Sequence, residues 1–247
     1  LPDLEKWVLN KLKKLDINIR EAYKNYSFQT VFQQLFQFCT VDLSSFYFDI
    51  RKDALYCDHI SSHVRKSCIF TLEMIFERLV KWFAPILPFT MEEVWMQRQR
   101  ENSKTSVHLY DFPKTPSEWT NIELEEKWNR IRDIRGYVTL AIEKERQNKN
   151  IRSSLEASPV LKIKDKNLFK ILSSVDFSEV CITSSIKIEL NEDLQLEENL
   201  SSDEGIEVRI VKAEGEKCNR CWKYTNSYNH YKNKIICKRC NEVLNNS

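Results

Sequence analysis

Four cysteines near the C-terminus, Cys218, Cys221, Cys237 and Cys240, form two C-x-x-C pairs with 15 residues between them. That spacing is the pattern of a structural zinc site. Four thiolates saturate a tetrahedral Zn²⁺ and leave no open position for water or substrate, so the single ion expected here folds the terminal segment and catalyses nothing. Any function must then come from what the metal presents. Between and beside the ligands lie Lys217, Arg220, Trp222, Lys223, Tyr224, His230, Tyr231, Lys232, Lys234, Lys238 and Arg239. Such a mixture of cations and flat rings suits a single-stranded nucleic acid.

Spacing alone also permits a disulfide pair. Against it, the chain has no signal-like N-terminus and no apolar run of the ~18 residues that a membrane span needs. Cys39, Cys57, Cys68 and Cys181 are scattered among apolar residues with no partner at ligand spacing, and read as buried free thiols in a reducing cytosol. His59, His63, His108 and His230 share no motif with a nucleophile or a paired carboxylate, so a surface or packing role is expected for them. With 3 glycines in 247 residues the chain has neither G-x-x-x-x-G-K nor G-x-G-x-x-G. Phosphate-cradling loops, and with them nucleotide chemistry, are not expected of this polypeptide. The formal charge of +2 means that a nucleic-acid surface has to be a local concentration of cations.

The elements that would position these residues follow from periodicity, and a 42% hydrophobic share is ample for a core. From Leu1 to about Gln99 apolar residues recur at helical spacing. Leu4, Val8, Leu12 and Leu15 make one stripe; Phe28, Val31, Phe32, Leu35, Phe36 and Cys39 a second; Cys68, Leu72, Ile75, Phe76, Leu79 and Phe83 a third. Leu43 to Tyr56 reads as a further helix with Phe46, Ile50 and Ala54 facing inward, and Phe46, Tyr47 and Phe48 as packed rings. Pro85 and Pro88 stop the chain, and Thr90-x-x-Glu93 restarts it as a capping box. After a loop around 102–116, a long helix is expected from about Ile122 to Asn148, burying Leu124, Trp128, Ile131, Val138 and Ile142. Its other face interleaves Arg130, Arg132, Arg135, Lys144, Arg146 and Lys149 with Glu125, Glu126, Asp133, Glu143 and Glu145, the pattern of a solvated, ion-paired surface. Strands are expected at Val160–Ile163, Glu179–Ile182, Ile186–Leu190 and Glu207–Val211, with a short helix at Asn167–Leu172. The acidic stretch with Glu189, Glu192, Asp193, Glu197, Glu198, Asp203 and Glu204 would repel phosphate.

Several runs resemble a known family. Asp42-Leu-Ser-Ser-Phe-Tyr-Phe-Asp-Ile-Arg-Lys-Asp-Ala-Leu-Tyr56, Trp82-Phe-Ala-Pro-Ile-Leu-Pro-Phe-Thr-Met-Glu-Glu-Val-Trp95 and Ser106-Val-His-Leu109 closely resemble the C-terminal half of bacterial-type isoleucyl-tRNA synthetases. Asn150-Ile-Arg-Ser-Ser-Leu-Glu-Ala157 and Lys217-Cys-Asn-Arg-Cys-Trp222 continue the resemblance in order to the end of the chain. The family usually has Gly where this chain has Arg152.

The resemblance implies a mainly α protein in three parts: a helical anticodon-binding bundle over 1–120, the long helix with a small α+β junction domain over 121–212, and a four-cysteine zinc ribbon over 213–247. It implies a cytoplasmic, monomeric fragment that holds the anticodon stem-loop of the isoleucine tRNA. Attachment of isoleucine, with ATP and Mg²⁺, would belong to a catalytic domain elsewhere in the synthetase chain, so the fragment itself is expected to be inactive and to carry no catalytic residue. RNA sequence is most easily read in loops, where unstacked bases rest on aromatic or guanidinium planes. Trp222 and Arg220 are therefore the expected base readers, and Lys223, Lys238 and Arg239 the phosphate clamps. The alternative for Trp222 is a ring packed over the zinc knuckle as a miniature core, in a module with few other apolar residues to bury. Arg51, Lys52, Arg65 and Lys66 are further candidates on the bundle, although an ion pair between Asp49 and Lys52 explains the first pair as easily. Two rival readings stand beside this one. Formamidopyrimidine-type DNA glycosylases carry a similar ribbon, but they need an N-terminal proline followed by glutamate, where this chain has Leu1, Pro2 and Asp3. The second rival is a zinc scaffold that binds proteins and no RNA.

Overall fold

A computed structural model describes residues 1–98, 105–192 and 205–245. Of the acidic stretch, Asp193, Glu197, Glu198, Asp203 and Glu204 lie outside the described residues. The chain divides into two units, one comprising residues 1–55 and 60–125, the other 56–59 and 126–247.

The first unit is a helical bundle. Helix α1 (Asp3–Lys24) buries Leu4, Trp7, Val8, Leu12 and Ile19, a single face at helical spacing. Helix α2 (Phe28–Gln37) runs through a π-helical stretch, Phe38–Phe48, into α3 (Asp49–Cys57). In the wider turns of that stretch Thr40 and Ser45 donate to the carbonyls of Phe36 and Val41 at 2.8 and 2.9 Å, hydroxyls competing with amides for the same acceptors. Phe46, Ile50 and Ala54 are buried as their spacing predicts. The second stripe is only half inward: Val31 and Leu35 are in the core and Cys39 is half-buried, while Phe28, Phe32 and Phe36 are exposed, the last two stacked at 5.7 Å.

Helix α4 (His63–Phe83) starts on Ser62, whose hydroxyl accepts from the Arg65 amide. It buries Cys68, Thr71, Ile75, Arg78 and Trp82. Leu72, Phe76, Leu79 and Phe83 of the expected stripe instead line an open apolar groove of about 590 Å³, shared with Phe48, Met91 and Val94. Helix α5 (Pro88–Arg98) corrects the capping-box expectation. It begins on Pro88, with the Met91 amide bonded to the Leu87 carbonyl at 3.0 Å, so Thr90 is already inside the first turn. A proline's missing N–H and fixed φ suit that first position. The carboxylate put to use is Glu92, which accepts from the Ser106 hydroxyl and the Val107 amide at 2.9 and 3.0 Å. The segment that follows is strapped down by arginines: Arg20 donates to the carbonyls of Phe112 and Pro113, and Arg78 to that of Lys114 while lying over the Trp119 ring at 4.6 Å.

One buried charge pair ties α1 to α3. Arg51 grips Glu5 in bidentate fashion, Nε to Oε1 at 2.6 Å and Nη2 to Oε2 at 2.7 Å, and the Tyr47 hydroxyl adds a bond to Glu5 at 3.3 Å. Burial, then the Glu5 charge, pushes the Tyr47 phenol well above its usual range, so it serves as a neutral donor.

Helix α6 (Ile122–Gln147) begins in the first unit and belongs to the second from Glu126 on. Trp128, Ile131, Ile134, Val138 and Ile142 are buried along one face, the face that periodicity selects. In the second unit β1 (Ala157–Ile163) is central, parallel to β2 (Lys187–Leu190) and antiparallel to β3 (Ile206–Lys212). Burial alternates strictly along β1, as a strand with one covered face requires. Helix α7 (Lys166–Ser173), capped by the Asp165 carboxylate on the Leu168 amide, packs on β1 and β2. The expected strand at Glu179–Ile182 is instead helix α8 (Phe177–Cys181). Asp176 accepts from the Glu179 amide and starts a helical turn, Ile182 at φ +57° ends it, and the buried Val180 and Cys181 are the apolar run that composition alone reads as β. Near Arg152 the left-handed residue is Lys149 at φ +61°, while the Arg152 amide donates to Glu156 at 3.1 Å.

The chain ends in a four-cysteine ribbon. Strands β4 (Glu216–Lys217) and β5 (Tyr224–Thr225) pair, and β6 (Tyr228–Tyr231) forms a hairpin with β7 (Lys234–Cys237), followed by α9 (Lys238–Asn245). Gly215 enters it at φ +90°, where a Cβ would sit 2.3 Å from the Thr225 backbone. The Ser184 hydroxyl links ribbon and sheet, accepting from the Tyr224 amide at 2.7 Å and donating to the Leu155 carbonyl at 2.5 Å.

Candidate metal centre and nucleic-acid interface

Two knuckles bring the cysteines together. Cys218 and Cys221 flank the turn between β4 and β5, where the Cys218 amide bonds to the Lys223 carbonyl at 3.0 Å and the Trp222 amide to the Cys218 carbonyl at 2.9 Å. Cys237 closes β7 and Cys240 lies in the first turn of α9. A bond from the Asn219 amide to the Ile235 carbonyl, at 2.9 Å, joins the two halves. All four Sγ atoms lie within 4.8 Å of one another, with Cys221 and Cys237 3.7 Å apart. A tetrahedron of ~2.3 Å metal–sulfur bonds has edges of ~3.8 Å, whereas a disulfide needs ~2.05 Å. Cys218 and Cys240 are fully buried. The donor set therefore fits a metal ion.

The thiols' own electrostatics favour a cation too. Burial pushes Cys218 up, but the amides of Cys237, Cys221 and Arg220 outweigh it and draw the group down. Its neighbours move the other way: the hydrogen bond to Cys240 and burial push Cys221 up, and burial pushes Cys237 up. Crowded thiols resist ionising together unless a positive ion shares the space.

Arg220 leaves the knuckle inward. Its Nη1 donates to the Cys57 carbonyl, its Nη2 to the Tyr56 carbonyl at 3.2 Å, and Nη1 also lies 3.7 Å from the Cys240 sulfur. Arg239 pairs with Asp58 at 3.3 Å. Trp222 does the opposite. It is 61% exposed, held at φ +66°, with the Lys217 ammonium 5.8 Å from its ring. Lys238 is exposed at the start of α9 and Lys223 is half-buried beside Trp222.

In the other unit, Arg51 requires a correction. At 4% exposure and committed to Glu5, its guanidinium has no access to a phosphate. Lys52 is exposed and pairs with Asp49 at 2.8 Å, and Lys66 is exposed on α4 beside the half-buried Arg65. His108 is exposed and bonds through Nε2 to the Pro88 carbonyl at 3.1 Å, a surface role. Sequence reasoning missed the segment 56–59 as a partner of the ribbon, because no spacing rule links residues 163 apart. No helix among the described residues is long and apolar enough to cross a membrane.

Comparison with known proteins narrows what such a site serves. A family described as the anticodon-binding domain of tRNA ligase matches residues 5–161. The chain is 43% identical over 244 residues to an isoleucine–tRNA ligase of Ruegeria pomeroyi, covering 99% of this chain and 25% of that protein. It is 44% identical over 239 residues to the one of Pelagibacter ubique, covering 97% and 24%, and 47% identical over 225 residues to that of Bartonella henselae, covering 91% and 23%. The chain thus spans about a quarter of the length of these relatives.

Proposed function

The chain belongs to the anticodon-binding domain family of tRNA ligases, and from that premise we propose that it holds the anticodon stem-loop of an isoleucine tRNA, with the ribbon presenting Trp222 to a loop base. Attachment of isoleucine with ATP and Mg²⁺ is the work of a catalytic domain in the same synthetase chain, acting in the cytoplasm as a monomer. The division of labour follows the three parts: bundle at 1–120, junction at 121–212, ribbon at 213–247. Cys218, Cys221, Cys237 and Cys240 hold one Zn²⁺, which supplies a rigid fold and no open coordination position.

The observation that carries this reading is the conformation of Trp222. A bulky residue in the left-handed region costs ~1–2 kcal/mol, and an exposed indole forgoes the burial that would offset it. Strain kept at an exposed ring points to use of that ring. Lys217 lies beside the ring, Lys223 follows it in the chain and Lys238 is exposed at the start of α9, positive charge of the kind a phosphate backbone needs. Arg65, Lys66 and Lys52 on the bundle are candidate contacts to the stem.

Trp222→Ala should weaken binding of the isoleucine anticodon stem-loop by up to the ~1–3 kcal/mol of a lost stack and reduce discrimination against other stem-loops. Lys238→Ala should weaken all RNAs about equally and lower the salt slope by about 0.7 per single-strand phosphate contact. Salt titrations of both variants against cognate and non-cognate stem-loops, with metal content checked, decide the matter. If Trp222→Ala keeps its metal and binds both RNAs as the parent does, the ring does not read a base.

A further inference from the structure

The four sulfurs of the ribbon are not equally supported. Cys218 receives the Arg220 amide at 3.5 Å and Cys237 receives the Cys240 amide at 3.5 Å. Cys240 is approached instead by a side chain. The Arg220 guanidinium lies 3.7 Å from its sulfur. Cys57 is buried in one cluster with Cys218, Cys240 and Ile236, and its own Sγ faces the Arg220 carbonyl at 3.8 Å. The contacts are reciprocal: the Arg220 side chain holds the backbone of Tyr56 and Cys57, and the Cys57 side chain meets the backbone of Arg220. Next to Cys240, Arg239 pairs with Asp58.

We propose that the metal centre extends beyond its four thiols, with the Arg220 guanidinium donating to the Cys240 sulfur and Cys57 holding Arg220 in place through its carbonyl and its thiol, so that retention of the ion depends on residues 56–59. This rests on the metal reading above and deepens it. Four thiolates around a divalent ion carry a net charge of about −2, which a buried site has to offset with donors. Two of the sulfurs obtain theirs from the knuckle backbone, which the ribbon supplies by itself. The Cys240 sulfur draws on a guanidinium that is held by the Tyr56 and Cys57 carbonyls, while the Cys57 thiol holds the Arg220 backbone, so the donor is fixed only while residues 56–59 are in position. Arg220 is suited to the task because a planar fork reaches two carbonyls and a sulfur together, which an ammonium does not. Both are positioning residues: Arg220 acts on the ion through Cys240, and Cys57 through Arg220.

The test uses the 247-residue chain loaded with Zn²⁺, and separately with Co²⁺. Metal content is measured first; transfer of Zn²⁺ to a chromogenic chelator is then timed for the parent, Arg220→Ala, Arg220→Lys, Cys57→Ala and Cys57→Ser. Loss of an outer-shell partner typically costs ~10–100-fold in metal affinity. Release is accordingly expected to be on the order of 10-fold or more faster in Arg220→Ala, with partial rescue in Arg220→Lys, and faster in Cys57→Ala than in Cys57→Ser. With Co²⁺, the sulfur-to-metal charge-transfer band should move to lower energy in both alanine variants while the tetrahedral bands persist, because a thiolate stripped of a donor gives up an electron more easily. A parent without metal overturns the metal reading itself. A parent with one ion per chain whose alanine variants keep its release rate and its cobalt bands overturns the inference alone. Should Arg220→Ala hold no metal, Cys57→Ala decides: release faster than in the parent, with the band shifted, supports the shell, and parental values overturn it.

Discussion

Removal of the metal, by chelation or by Cys237→Ser, is expected to unfold the ribbon while leaving most of the helical far-UV signal in place. The ribbon has little else to hold it. Its apolar centre is Ile236 with the half-buried Tyr231 and Leu244 around the cysteines, and two of its four strands are two residues long. Binding of a structural Zn²⁺ is worth ~10–16 kcal/mol in small domains of this type, and that free energy is folding free energy. The bundle rests on fully buried Trp7, Trp82, Tyr47 and Phe46, none of which needs an ion. Circular dichroism and limited proteolysis, before and after chelation, check the result. Cleavage should appear after 213, and residues 56–59 should become more accessible with it, since Arg220 and Arg239 no longer hold them. Loss of the whole helical signal contradicts the separation.

The second large effect belongs to the bundle: Glu5→Ala should destabilise it by ~3–5 kcal/mol, because Arg51 is then left charged, buried and without its carboxylate. The pair is nearly sealed from solvent, with the Arg51 and Glu5 side chains 5% and 0% exposed, so water has no route to replace the missing partner. Replacing both, as in Glu5→Leu with Arg51→Met, should recover most of the loss, since taking two charges out of water costs about as much as their attraction returns. Urea unfolding of the single and double variants measures the difference. A single variant within about 1 kcal/mol of the parent, the size of a surface pair, would mean that Arg51 is solvated after all.

What could be read directly from the sequence is what depends on short-range spacing. The C-x-x-C pairs place two thiols each through a local turn, and the stripe from Leu124 to Ile142 needs nothing beyond a helix with one covered face. Burial of the other helices depends on which neighbours they meet. Phe28, Phe32 and Phe36 satisfy the same periodicity as Val31 and Leu35, yet only the latter pair enter the core; likewise Leu72 and Phe76 line a groove while Thr71 and Arg78 go inside. At Val180 and Cys181 the apolar run fits either structure, and the Asp176 cap decides for helix. Arg51 looks like a surface cation because its partner, Glu5, lies two helices away in sequence. Arg220 resembles a base reader for the same reason, since Tyr56 and Cys57 are more than 160 residues distant.

Recognition of RNA by the metal-loaded chain is tested by filter binding. The 247-residue chain, shown to carry one Zn²⁺, is titrated with an isoleucine anticodon stem-loop, a stem-loop from another tRNA and a DNA duplex of equal length at one fixed salt concentration. The expected order is isoleucine stem-loop, then the other stem-loop, then duplex, with the preference lost on Trp222→Ala. Preference for the duplex, or no binding by fully loaded chain, contradicts it.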